Sequence, residues 1–206
     1  MTEQSRGFNF HVVLMIGILS AVIIAGFMIF PKTQEDRDAL LARLGTTNHG
    51  SFIQPTLDLR DLPLRDVDGN IWRFSEQPVK WRYLIADDGR CQQSCRDMLY
   101  LTRQVHIRVG KNSKRLQRMY LLLGDKMSLE TEQYIAREHP YLKVIKSTEA
   151  DYSVWLGKAN TGWQPGIMRT LVVDQDGRTM MYYGPQHDGN GILEDINHLL
   201  KYSPAP

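Results

Sequence analysis

The sequence is short of cysteine: only Cys91 and Cys95 occur in 206 residues. A disulfide scaffold needs more pairs at wider spacing, so the fold must rest on a hydrophobic core. The sequence also lacks an excess of charge of either sign. With 25 basic and 23 acidic residues the net charge is +2, so bulk electrostatics does not point to nucleic acid or to an acidic partner. No internal repeat or low-complexity tract is present. There is no phosphate-binding glycine loop, no Ser-His-Asp arrangement, no H-E-x-x-H or C-x-x-C-H, and no carboxylate pair spaced for hydrolysis. What remains is ordinary globular composition, 42% hydrophobic and 23% charged, enough for one domain and an added segment.

Charge is missing altogether from residues 7–30, GFNFHVVLMIGILSAVIIAGFMIF. That length suits a helix crossing a hydrocarbon core of about 30 Å. The apolar run exceeds the roughly 7–15 residues of a signal-peptide core, and Phe30-Pro31-Lys32 offers no small-x-small cleavage site. It reads as an uncleaved single-pass anchor after a tail at 1–6. The flanking charges are mixed, and long domains translocate largely regardless of them. The expected orientation has residues 1–6 cytoplasmic and the C-terminal domain periplasmic, at the inner (cytoplasmic) membrane of a Gram-negative cell. Residues 31–61 read as a juxtamembrane helix, Gln34 to Leu44, followed by a linker, and 62–206 as the domain.

Within the domain, Leu62 to Phe74 carries Asp68-Gly69 between two strand-like arms, a hairpin signal. WRYLIA, Trp81 to Ala86, reads as a buried strand that runs through Asp87-Asp88-Gly89-Arg90 into Cys91. From Gln92 to Val109 a helical period places Cys95, Met98, Leu99, Thr102, Val105 and either Ile107 or Val109 on one face. MYLLL, from Met119 to Leu123, is a strand. Leu129 to Glu138 is a helix that stops before Pro140. A strand over Leu142 to Ile145, a helix over Glu149 to Lys158, a hairpin around Asp174 to Gly177 and a closing helix over Ile192 to Tyr202 follow. Alternating β and α with two late antiparallel strands predicts an α/β fold with a mixed sheet flanked by helices. The cysteines fall between a central strand and the next helix, the active-site position of thioredoxin-like folds. The basic residues from Arg103 to Arg118 read as a solvated helix end and loop.

Cys91-Gln92-Gln93-Ser94-Cys95 is a C-x-x-x-C motif. With Cys91 at a helix N-cap, Cys95 lies one turn on, on the same face, so the sulfurs can form a disulfide or hold one ion. The helix N-terminus should lower the thiol pKa of Cys91 below about 8.5. Thiolates attack disulfides and bind soft ions such as Cu(I). The preceding Gly-Arg and the Gln-Gln-Ser filling predict an exposed pair. Asp87 and Asp88 read either as proton-transfer partners or as polar turn residues. His49, His106, His139, His187 and His198 show no metal-ligand spacing, although His49 lies where the linker could cover the site.

An N-terminal anchor, a D-x-D-G hairpin, a W-R-x-L strand and then C-x-x-x-C and a helix together resemble the Sco/SenC family. The late segment MRTLVVDQDGRTMMYYGP, Met168 to Pro185, is similar to that family's last hairpin. Asn48-His49-Gly50 and Arg103-Gln104-Val105 are also similar to a small group of proteins associated with cytochrome oxidase assembly. The resemblance implies a membrane-tethered thioredoxin-like factor for cytochrome c oxidase (CuA) assembly. It implies an oxidase subunit or another assembly factor as partner, with no nucleic acid involved. It implies Cu(I) on Cys91 and Cys95, or else a protein thiol-disulfide oxidoreductase using the same pair. The family's histidine ligand would fall at or beside Gly166, and this sequence has none there; Met168 is nearby and reads either as a soft Cu(I) donor or as an ordinary core residue. Pro165 stands there instead. By resemblance to thioredoxin-like oxidoreductases it is either the cis-proline facing the cysteines, with Gln164 beside it, or an ordinary loop proline. The alternative to both chemistries is a non-catalytic docking scaffold in which Cys91 and Cys95 form a structural bridge.

Overall fold

The computed structural model describes residues 10–29, 33, 48–160 and 167–204. The chain divides into two units, Met1–Thr47 and Asn48–Pro206. In the first, α1 (Phe10–Ile29) is a 20-residue helix, about 30 Å long at 1.5 Å per residue. From His11 to Met28 none of its residues is buried, and the mean hydropathy is 2.4. A helix apolar around its whole circumference has no face to offer water. It is long and apolar enough to cross a membrane. The tail at 1–6 and the juxtamembrane helix expected from Gln34 to Leu44 lie outside the described residues.

The second unit is a six-stranded sheet. Its strands are β1 (Ser51–Asp58), β2 (Trp81–Asp87), β3 (Leu116–Leu123), β4 (Lys143–Ser147), β5 (Thr170–Val173) and β6 (Arg178–Tyr183). The helices are α2 (Gln93–Arg108), α3 (Leu129–Glu138), α4 (Glu149–Leu156) and α5 (Gly189–Tyr202). The strand order is β1-β6-β5-β2-β3-β4. β2, β3 and β4 run parallel, with β5, β6 and β1 added antiparallel on the other side of β2. This is the expected mixed sheet flanked by helices.

Side chains alternate across the sheet and divide the core. Leu84 of β2, Met119 and Leu121 of β3 and Ile145 of β4 face α4, packing on Tyr152, Trp155 and Leu156. Tyr83 and Ile85 of β2, with Tyr120 and Leu122 of β3, face the opposite side. There Cys95, Met98 and Leu99 of α2, Ile135 of α3 and Ile192 and Ile196 of α5 cover them. The α2 period holds. Cys95, Met98, Leu99, Thr102 and Val105 are buried, and Val109 closes the stripe while Ile107 faces solvent.

Three local readings change. The stretch read as linker contains β1, which pairs with β6 at the sheet edge. Pro55 obscured it, because a proline removes a ladder donor and demotes a strand. The edge tolerates it through a register shift between Phe52 and Leu57. The Asp68-Gly69 signal marks a real turn, with Asp66 accepting from Asp68 and Asn70. Its arms meet through one bridge, Arg65 to Ile71, and not as two strands of the sheet. Nor is the basic stretch simply solvated. Arg115 donates to the carbonyls of Leu200 in the last turn of α5 and of Ser203 and Pro204 beyond it, and Arg118 is buried beside His139.

His139 is 2% exposed, with its ring between the Arg118 guanidinium and the Tyr134 hydroxyl. Burial, reinforced by the Arg118 charge, pushes its pKa down to about 4. Protonation is therefore easier in the unfolded chain, and the stability held by the neutral ring is lost as pH falls from about 6.5 toward 4. Denaturant unfolding should show this window, and His139→Gln should flatten the stability change across it. Parallel pH profiles for the two proteins would show that the ring does not carry the effect.

Candidate functional site

β2 ends at Asp87, and alternation puts its carboxylate on the Ile85 side of the sheet, beneath α2. The chain then turns through Asp88, Gly89 and Arg90. Gly89 has φ +93°, and a Cβ there would lie 2.8 Å from a Leu122 methyl and 2.9 Å from the Lys126 carbonyl oxygen. The Gly89 carbonyl accepts from Ser128 N–H at 2.9 Å, which holds the β3–α3 loop against the turn. Only glycine fits here without strain. Cys91 follows with φ +34°, the left-handed region that a residue with a Cβ enters at a cost. Side chains hold both of its backbone groups. Its N–H donates to Asp87 Oδ1 at 2.9 Å, and its carbonyl accepts from Arg96 Nε at 3.1 Å. Arg96 is in turn fixed over the Tyr134 ring and paired with Glu130.

Gln92 is the N-cap of α2, so Cys91 sits one residue ahead of the helix and not at the cap expected for it. Cys95 is in the first turn. The two form a disulfide with Cα atoms 5.1 Å apart. The expectation of an exposed pair is wrong. Both cysteines are 0% exposed, packed with Ile85, Met98, Leu99 and Tyr120. Gln92, Gln93 and Ser94 do face solvent. The first and last residues of the motif lie on the inward face of the turn, and the polar filling lies on the outward face.

The two aspartates part company. Asp88 faces solvent, where its hydrogen bond with Arg90 holds its carboxyl below the usual carboxylate range. Asp87 Oδ1 accepts from Gly89 N–H, Cys91 N–H and the Tyr120 hydroxyl, at 2.9, 2.9 and 2.6 Å. Burial and the Asp87 hydrogen bond push the Tyr120 phenol well above its ordinary value, so it remains a donor at neutral pH. A carboxylate oxygen of Asp87 and the two sulfurs lie within 4.8 Å of one another. This is the only such donor group among the described residues. An open cleft of about 300 Å³ is lined by Asp87, Arg90, Ser94, Tyr152, Ile167 and Met168, among others. Met168 also packs against the cluster that contains the cysteines.

The histidines are placed elsewhere. His49 donates its N–H to Asp195 and pairs through Nε2 with Glu194. His106 contacts the Ser113 carbonyl, His187 contacts Gly184, and His198 packs at a tilt against the Tyr202 ring. Pro165, with Gln164 and Gly166, lies outside the described residues. The cis proline among the described residues is Pro55. The sequence reads Asp87 as a proton-transfer partner of the thiols or a polar turn residue, and does not group it with the sulfurs as one of three atoms that could hold a metal ion. The available signal was its even spacing from Ile85 on a buried strand.

A family model described as transmembrane-like, thioredoxin-like, C-terminal domain matches residues 81–203. The chain belongs to this family. No curated protein matches it in sequence. Among solved structures it is similar in fold to yeast Sco1 with copper bound, at 15% identity and TM-score 0.56, covering 78% of this chain and 97% of that one. It is similar to apo Sco1 from Thermus thermophilus at 19% identity and TM-score 0.57, covering 75% and 98%. It is also similar to BsSco, a member of the Sco family of cytochrome c oxidase assembly proteins with a disulfide switch. There the identity is 9% and the TM-score 0.54, covering 72% and 96%. At these identities the likeness establishes the Sco-like thioredoxin fold. In this family member two thiolates would suit a soft ion such as Cu(I), once the disulfide is reduced.

Gly89→Ala should lower the unfolding free energy by about 1–3 kcal/mol, through left-handed strain and overlap with Leu122 and Lys126. A urea midpoint unchanged from the parent protein would contradict so tight a turn.

Proposed function

We propose that the chain is a membrane-tethered thioredoxin-like factor for cytochrome c oxidase (CuA) assembly, acting through Cys91 and Cys95. In this reading the domain is periplasmic and α1 is its anchor in the inner membrane. The partner is an oxidase subunit or another assembly factor. Copper is the cargo: the reduced pair holds Cu(I) as thiolates and releases it by ligand exchange. The supporting observation is a cysteine pair closed as a disulfide between the turn after the central strand and the first turn of α2, beside an open cleft. The fold around it is similar to that of copper-bound yeast Sco1.

Closure of the pair as a disulfide favours a second reading on the same residues, thiol-disulfide exchange. The Cys91 thiolate would attack a partner disulfide, releasing one partner thiolate. Cys95 would then resolve the mixed disulfide, leaving the partner reduced and this pair oxidised. Pro165 would serve here as the proline opposite the pair, with the residue before it, Gln164, presenting backbone to the bound peptide. Both readings require the sulfurs to become accessible, because both cysteines are fully buried in the disulfide form.

Anaerobic titration of the reduced full-length chain in detergent should show one Cu(I) bound per chain, and Cys91→Ser/Cys95→Ser should bind none. Equal binding by the two proteins would remove copper from these residues. Expressed in cells, Cys95→Ser should trap a disulfide-linked partner if exchange is the chemistry. A pair that stays oxidised under strong reductant would leave the structural bridge of a docking scaffold.

A further inference from the structure

Three donors address Asp87, and all three address the same oxygen. Gly89 N–H, Cys91 N–H and the Tyr120 hydroxyl converge on Oδ1. Among the described residues no donor reaches Oδ2. The carboxylate is thus fixed in direction with one oxygen still available, as outer hydrogen bonds fix a metal-ligating carboxylate. It lies beside both sulfurs and also lines the open cleft, where an ion could approach. An ion at about 2.0–2.3 Å from each of three donors needs them roughly 3.5 Å apart. A carboxylate oxygen of Asp87 and the two sulfurs already lie within 4.8 Å of one another while the sulfurs are bonded together. Breaking the S–S bond frees the sulfurs to separate around an ion, and the carboxylate has to shift little.

We propose that Asp87 Oδ2 is a third ligand of the reduced Cys91–Cys95 site, and that it makes the site a Cys2Asp cradle for a borderline divalent cation such as Zn2+. The inference rests on the reading that the reduced cysteines hold a metal. Two thiolates and a carboxylate carry three negative charges and mix soft and hard donors, a set that suits Zn2+ with a fourth position open to the cleft. Cu(I) is satisfied by the two thiolates and gains little from a hard oxygen. Asp87 is therefore a selectivity residue, strengthening divalent binding far more than Cu(I) binding. In the binding step each thiol gives up its proton, the ion forms two metal–sulfur bonds and one metal–oxygen bond, and no electron moves.

The test uses the full-length chain in detergent, under anaerobic conditions, reduced with a phosphine. The phosphine takes an oxygen from water to become its oxide and leaves two thiols. Asp87→Asn retains an oxygen for the three Oδ1 donors and replaces the free oxygen with an amide nitrogen. Competition with a chromophoric chelator should show Zn2+ affinity falling about tenfold or more in Asp87→Asn, with Cu(I) affinity changing less than about threefold. Met168→Leu should leave Zn2+ affinity unchanged. Undiminished Zn2+ affinity in Asp87→Asn, or a loss in Met168→Leu instead, overturns the assignment while leaving the thiolate reading intact. Undiminished Zn2+ affinity in Cys91→Ser/Cys95→Ser overturns both. If Asp87→Asn does not fold, infrared difference spectra of the parent protein with 13C-labelled aspartate decide. Zn2+ should shift one aspartate carboxylate stretch, and an unchanged band overturns the proposal.

Discussion

One oxygen of Asp87 takes three hydrogen bonds, from the turn, from the first cysteine and from a tyrosine on the neighbouring strand. A carboxylate removed from water is costly unless its lone pairs are met, and these donors meet them at one end. In doing so they fix the geometry of the whole site. The Tyr120 bond ties the end of β2 to β3. The Gly89 bond closes the turn. The Cys91 bond, opposed by Arg96 on the carbonyl side, holds the cysteine in a conformation it would otherwise avoid. Arg96 is held over Tyr134 and against Glu130, so α3 also contributes to the position of the first sulfur.

The sheet gives this constraint its leverage. β2 is central, flanked by parallel β3 and antiparallel β5, so its end is held from both sides. The sulfurs lie under the start of α2, within the apolar cluster of Ile85, Leu99 and Tyr120. Burial of this kind protects a disulfide and slows its exchange. The polar end of the strand opens into the cleft lined by Asp87, Arg90 and Met168. A carboxylate and a thioether are thus among the groups that line the cleft.

A buried carboxylate does comparable work toward the β1–β6 edge of the sheet. Asp195 of α5 is 6% exposed and accepts from His49 N–H, Gly50 N–H and the Tyr183 hydroxyl. It binds the first described residues of the folded unit to its last helix. His49, for which the sequence left a role near the cysteines open, is employed here as part of that closure.

The sequence by itself determined the anchor-like helix, the mixed sheet with its helices and the placement of Cys91 and Cys95 between a strand and a helix. Those are consequences of hydrophobic length, of periods 2 and 3.6, and of turn residues, all local in the chain. Only the tertiary structure decided what depends on contacts between distant segments. β1 exists because β6 offers it an edge, which its own proline-bearing sequence does not reveal. Arg118 is buried because His139 and the Leu99 carbonyl lie beside it. The cysteines are hidden because α2 turns its inward face to Ile85 and Tyr120. Asp87 becomes a partner of the sulfurs because alternation along β2 and a φ-positive turn bring residues four apart back together. The motif is written in the chain, but packing sets its surroundings, and the surroundings set its chemistry.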